Sequence, residues 1–234
     1  MTMPTNTASE SVYERVVQHI FFSHNISPGA KIVETKLAHH LGVSRIPVRE
    51  SLRRLAGQGL LVGDKNGDGG VRLRSYTAEE IHGLYELREL LEGGAARAAA
   101  RAATEIDLAR MEMICERMSL LVGKYGSVEW ADLDHFFHHA LADASQNDRI
   151  ALPLKCLLTE CHYLFYLFPV HRGRFKLPPE DVHAHMQCIV DDHCNLLDLI
   201  RRRDAEAAER KAREDIRVGK ARFALVSIAQ DLAC

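Results

Sequence analysis

No stretch of this chain stays apolar long enough to cross a bilayer. The longest apolar run, residues 163–170, is broken by Pro169 and falls far short of the about 20 residues that a spanning helix needs. Residues 1–9 are polar and lack the apolar core of a secretory signal. The six cysteines (Cys115, Cys156, Cys161, Cys188, Cys194 and Cys234) include no CxxC pair. A zinc ribbon or a thioredoxin-type centre is thereby excluded, and reduced thiols in a cytoplasmic protein are the expectation. Aromatic residues are only 6% of the chain, so a sheet-dominated fold is disfavoured against a helical one built from the plentiful Leu, Ala, Glu and Arg. Net charge is also small, at −2.

That small number conceals an uneven distribution. Residues 1–76 carry ten Lys/Arg against six Asp/Glu, and the rest of the chain reverses the excess. A basic end joined to an acidic end suits a protein of which one part meets a polyanion. At 234 residues, two domains are expected rather than one. With 47% hydrophobic and 26% charged residues, the composition is that of folded domains, not of wholesale disorder.

The first domain is expected over residues 1–76, with 1–8 as a disordered tail. Apolar residues recur at helical spacing over 9–23, and Ser27-Pro28-Gly29 ends that helix. A second helix reads over 34–41 and stops at Gly42. Ser44 is placed to cap a third helix that reaches Gly57, with Pro47 in its tolerant first turn. Two short strands, 60–62 and 71–73, flank a glycine-rich turn that ends at Gly70. After Tyr76 the pattern becomes helical throughout, with six helices near 77–103, 105–123, 128–145, 148–168, 179–202 and 204–232. The fold class is thus mainly α. A winged helix-turn-helix with a small β-hairpin precedes an all-α antiparallel bundle over 77–234.

The helix pair over 37–55 can share a small core through Leu37, Leu41, Val48, Leu52 and Leu55. Arg45, Arg49 and Arg53 then line one face of the second helix, with Arg54 beside them. Such a helix fits the major groove, where arginine reads guanine or grips phosphate. Glycines at the hairpin tip let backbone approach a phosphate, although Asp64 and Asp68 would repel one. One short helix reads too few bases for useful specificity, so a homodimer on a near-palindromic duplex operator is expected.

In the helical domain, Asp134 and His138 lie four apart, on the helix face that carries Phe137 and Leu141. His193 shares a helix with Ile189, Val190, Leu196, Leu197 and Ile200. Asp215 lies among Ala208, Ala212 and Gly219. Four potential ligands facing one interior are costly to bury unpaired. A divalent ion relieves that cost, and the set suits zinc, nickel, manganese or iron. The alternative is that these groups hydrogen-bond one another or a ligand. Arg88 falls among Leu84, Leu87 and Leu91 and needs an anion there, which Glu92 one turn on could supply. Gly93-Gly94 inside the same helix points to close helix approach. Most of the thirteen histidines, His39, His40, His135, His139, His183 and His185 among them, are expected at the surface or on helix flanks.

These motifs resemble the GntR family of bacterial transcription regulators. Ser27-Pro28-Gly29 matches the proline-glycine before its second helix. Val43-Ser44-Arg45-Ile46-Pro47-Val48-Arg49-Glu50-Ser51-Leu52-Arg53-Arg54-Leu55 matches its most specific motif, and Gly59-Leu60-Leu61 the approach to the wing. Residues 84–92, 134–147 and 193–204 resemble the FCD branch, although the FadR-like and VanR-like subtypes are not separated by helix count. The resemblance implies operator contact by Arg45 and Arg49, with Ser44, Arg53, Arg54 and Gly70 alongside. It implies an effector domain in which Asp134, His138 and His193 match three metal ligands. Asp215 stands at the fourth, where the branch has histidine, and Arg88 stands where an arginine approaches the carboxylate of a small organic acid. The function implied is a ligand-responsive, nucleoid-associated cytoplasmic repressor or activator that touches no membrane. A sensor whose signal is the ion itself is the alternative. A metal-dependent enzyme is disfavoured, because no general base such as the HExxH glutamate accompanies the ligands.

Overall fold

A computed structural model describes residues 8–23, 26–64, 70–124, 127–167 and 179–231. Helix α1, Ala8–Val17, continues into a π-helical turn over Gln18–Phe22. It is followed by β1 (Lys31–Ile32), α2 (Glu34–Leu41), α3 (Arg45–Gly57), β2 (Leu61–Gly63) and β3 (Val71–Leu73). Six further helices complete the described chain: α4 (Ala78–Ala102), α5 (Glu105–Ser119), α6 (Val128–Ala144), α7 (Asp148–Leu167), α8 (Pro179–Arg201) and α9 (Ala205–Asp231). The chain divides into two compact units between Thr77 and Ala78, the first also taking in α7 from Tyr163 onward.

In the first unit the strands form an antiparallel sheet of order β1-β3-β2. Leu61 faces Leu73, and Lys31 faces Arg72. Strand β1 was not anticipated, because two residues are too few to show alternation. Gly29, at φ +79°, turns the chain into it, and its N–H donates to the Leu73 carbonyl at 2.8 Å. Gly42 takes the left-handed conformation that ends α2, as expected for glycine at that position. Ser44 has the extended backbone of an N-cap, but its hydroxyl makes no capping hydrogen bond, contrary to the expectation from residue type. Val16, Ile20, Phe21, Val48, Leu55, Leu60 and Leu73 form the core of this unit.

In the second unit α4 packs along much of α9, α5 lies against α6 and α8, and α6 also meets α4. The small side chains of Ala95, Ala96, Ala99 and Ala100 are wholly buried, so α4 sits close to its neighbours. The approach is tightest at Gly93. A Cβ there would lie 2.7 Å from Cγ of Arg213, which explains a glycine inside a helix. Thr104 and Asp107 form a capping box at the start of α5. Helix α7 runs through Pro153. This proline sits near the helix start, so the N–H it lacks removes a single bond of the first turns.

Candidate functional site

On α3, Val48, Ser51, Leu52 and Leu55 are buried while Arg45, Arg49 and Arg53 are exposed. This is the division that helical spacing predicted. Arg45 and Arg49 converge on one carboxylate at the start of α2. Arg45 Nε donates to Glu34 Oε1 at 3.0 Å, and Arg49 Nε and Nη2 donate to Glu34 Oε2 and Oε1 at 2.8 and 3.0 Å. The Arg49 hydrogen bond, with both arginine charges, holds the Glu34 carboxyl below its ordinary range. Glu34 thereby fixes the direction of two otherwise loose guanidinium groups. Arg54 behaves differently: its guanidinium lies 3.9 Å over the Tyr13 ring and ties α3 to α1.

Asp64 was read as a group that would repel phosphate. In the structure its side chain is buried between Arg72, at 3.0 Å, and Lys31, at 3.1 Å. Its charge is thus offset where it stands. The Asp64 N–H donates to the Gly70 carbonyl at 2.9 Å and closes the wing. The expected glycine-rich tip, with Asp68, falls in 65–69 and lies outside the described residues.

In the second unit, Asp134 and His138 on α6 meet His193 on α8. One ligand atom from each lies within 4.8 Å of the others, the one such group of three among the described residues. His193 Nε2 is 3.1 Å from Asp134 Oδ1, and His138 Nε2 is 4.0 Å from the same oxygen. The His193 ring is held flat against Phe137, with centroids 4.0 Å apart and planes 3° from parallel. Burial alone would raise the Asp134 carboxyl, but the His193 hydrogen bond and the neighbouring His138, His193 and Arg88 side chains hold it well below the carboxylate range. Burial lowers the His193 imidazole, against the opposing pull of Asp134. An ionised carboxylate facing a neutral imidazole is the protonation state that a divalent ion requires. Ligands about 2.0–2.1 Å from a tetrahedral ion lie about 3.3 Å apart, so the spacings here need only small side-chain rotations.

Asp215 is not within that group of three. Its Oδ1 accepts from Lys211 Nζ at 2.6 Å, and the same ammonium reaches Asp192 Oδ1 at 2.5 Å. Its Oδ2 is buried with no hydrogen-bond partner among the described residues. Burial pushes this carboxyl up to about 6, while Lys211 opposes the rise. An orphaned carboxylate oxygen has an unused lone pair to offer, but the donor set that fits a metal is Asp134, His138 and His193 without Asp215.

The interior also contains a group that the sequence reading only half identified. Glu92 accepts from Arg88 Nε at 2.5 Å, as foreseen, but its other oxygen lies 2.6 Å from His138 Nδ1. Burial would raise Glu92, yet Arg88 and His138 draw it down to about 2. An acidic residue among the interior glycine and alanines of α4 was the available signal. Arg88 itself is largely buried, whereas Leu87, expected on the same apolar side, is 48% exposed. His135 and His139 were expected at the surface or on helix flanks. They are partly buried and form a row with His162, at centroid spacings of 4.2 and 4.3 Å.

Comparison with known proteins extends the same division. Residues 83–218 match the FCD domain, and residues 8–68 match the bacterial regulatory proteins of the gntR family. The chain is 36% identical over 129 residues to the Nta operon transcriptional regulator of Aminobacter aminovorans, a match spanning 55% of this chain and 60% of that protein. It is 28% identical to the Glc operon transcriptional activator of Escherichia coli K12, over 80% of this chain and 77% of that one. Among solved structures, E. coli McbR/YncC superposes with a TM-score of 0.71 at 19% identity, covering 97% of this chain and all of that one. At that identity the likeness speaks for the fold alone.

Proposed function

The chain belongs to the GntR family of bacterial transcription regulators, with an FCD domain, and from that premise we propose a dimeric regulator whose operator affinity follows a small organic acid bound beside a divalent metal. The families and relatives it matches are regulators, not enzymes.

The observation that carries the effector reading is the buried convergence of Asp134, His138 and His193. These three hold the ion, with Asp215 as the fourth ligand once Lys211 releases or shares it. Three protein ligands would leave the fourth position of a tetrahedral ion open for a carboxylate, and a fourth ligand from Asp215 would leave one open only on a six-coordinate ion. Arg88 senses that anion: its Nε is committed to Glu92, and its terminal nitrogens make no other hydrogen bond among the described residues. In the first domain, Arg45 and Arg49 read the operator's base edges from an arrangement set by Glu34. Arg53, Ser44 and Gly70 meet the sugar-phosphate backbone. Arg54 serves chiefly to brace α3. The residues assigned to DNA binding are 1–76, and those assigned to the effector and to dimerisation are 77–234. The effector can shift DNA binding only by as much as it prefers one arrangement of the dimer over the other.

Elemental analysis of tag-free protein beside the His138→Ala/His193→Ala double variant tests the metal. The wild type is expected to retain one divalent ion per chain that the variant lacks. Equal metal in both, or none in either after supplementation, defeats the assignment. Operator titrations with metal alone and with metal plus a panel of organic acids then separate an acid sensor from an ion sensor.

A further inference from the structure

We propose that Glu92 is the positioning residue of the metal centre, fixing which nitrogen of His138 faces the ion and linking that ligand to Arg88. This rests on the metal reading above and adds a residue to it. An ionised carboxylate can only accept hydrogen bonds. Glu92 Oε2 lies 2.6 Å from His138 Nδ1, so that nitrogen carries the proton and Nε2 keeps its lone pair. Nε2 is the nitrogen on the side of Asp134, 4.0 Å from Oδ1, where the ligand atoms converge. The arrangement is a carboxylate–histidine pair of the kind that sets ring orientation and raises ligand basicity in metal sites.

The second oxygen of Glu92 explains why the first stays in place. Oε1 takes Arg88 Nε at 2.5 Å, and Glu92 is 1% exposed, so no water can substitute for either partner. Glu92 belongs to the buried part of α4 that also holds Gly93, Ala95 and Ala96. Its presence is accounted for by the two groups that it joins. Arg88 uses only one edge of its guanidinium in this bond, leaving the Nη1/Nη2 edge for a carboxylate. An anion that draws on that edge loosens or tightens the hold on Glu92 and thereby alters the ligand strength of His138. Effector and ion then communicate through one side chain inside the domain.

The test uses the full chain and two readings. In the metal-free wild type, side-chain 15N spectra at pH 7.5 should show His138 as the Nδ1–H tautomer. In Glu92→Gln, a near-isostere, the amide can donate to Nδ1, and the Nε2–H form should appear. Zinc titration of the same variant should show affinity lower by about 10–100-fold, the usual effect of removing such a partner. A general loss of packing would lower the melting temperature without exchanging the tautomer. An Nε2–H tautomer in the wild type, or wild-type zinc affinity in Glu92→Gln, overturns the role given to Glu92. If instead wild type and His138→Ala/His193→Ala take up zinc equally, the metal reading fails, and the Glu92 proposal with it.

Discussion

Replacing Asp215 with asparagine should make the metal-free protein more stable and the metal site weaker. The reason lies in its two oxygens. Oδ1 is held by Lys211, while Oδ2 is buried without a partner among the described residues, and burial raises the carboxyl from 3.8 to about 6. A group whose folded pKa exceeds its unfolded one contributes stability that is full below the unfolded value and is lost as pH climbs to the folded one. Above about pH 6 the wild type therefore contains an ionised carboxylate that its surroundings disfavour. An increase of about two pH units corresponds to about 3 kcal/mol in the limit. The carboxyl retains some solvent and a neighbouring ammonium, so about 1–2 kcal/mol is the better expectation. For a chain of this length that is a gain of about 2–8 °C in melting temperature. The assay is thermal unfolding in chelator at a series of pH values from 4 to 8. The gain of Asp215→Asn should be near zero at about pH 4, grow through pH 5, and level off above about pH 6. With zinc added, the order should reverse if Asp215 becomes a ligand. An Asp215→Asn protein that melts no higher than wild type in chelator at pH 7.5, or whose gain is the same at every pH, refutes the reasoning.

Four further outcomes are expected. Arg49→Ala, which removes the guanidinium held by Glu34, should cost about 1–3 kcal/mol in operator affinity, measured by fluorescence anisotropy at fixed salt. Unchanged affinity in a folded variant would remove α3 as the reading element. The full chain should sediment as a dimer at micromolar concentration. Leu87→Glu/Leu90→Glu, at neighbouring positions of α4 that are 48% and 56% exposed, should shift it toward monomer, and a dimer that survives the change places the interface elsewhere. Gly93→Ala should destabilise by about 1–3 kcal/mol through the collision with Arg213, read as a lower urea midpoint. The metal-free protein should weaken in acid, because burial holds His135 at about 2 and His139 at about 4. The unfolded chain protonates both near 6.5, so their contribution is present above that pH and lost progressively below it, as urea titrations at pH 7.5 and 5 should show.

The helices were legible because their signals are local. Gly42 ends α2, Thr104 with Asp107 opens α5, and the arginine spacing of α3 separates an exposed face from Leu52 and Leu55. Asp134 and His138 could be placed together because a four-residue step on a helix leaves no choice of face. Their meeting with His193 is a contact over 59 residues, and it was reached from the apolar company of each residue and from family resemblance. What escaped was pairing between elements. Strand β1 is two residues long and is defined only by its partner β3. The bond from Glu92 to His138 spans 46 positions, and α4 alone offered Arg88 as a sufficient partner. Asp64 looked like a repulsive charge until Lys31 and Arg72 were seen on either side of it. In each case the missing information was the identity of a neighbour distant in sequence, which periodicity does not encode.

The charge balance of the interior bears on the order in which ion and anion bind. Glu92, Asp134, Asp192 and Asp215 bring carboxylates to the region, while Arg88 and Lys211 bring the cations paired with them. His193 is kept neutral by burial, so the ion-free site carries an excess of negative charge. Among the described residues, an organic anion entering it would find the free edge of Arg88 in its favour. A divalent ion removes that excess and presents an open coordination position at the same time. Aspartate in place of the fourth histidine would weaken the pull on an anion, since two carboxylate ligands would cancel the charge of the ion. Lys211 beside Asp215 offsets part of that loss, although it is shared with Asp192. On the function proposed above, the ion would be a condition for binding the acid rather than an alternative signal to it. On this account chelation should abolish any response to an organic acid, and an acid that binds equally well with and without metal would show that Arg88 acts alone.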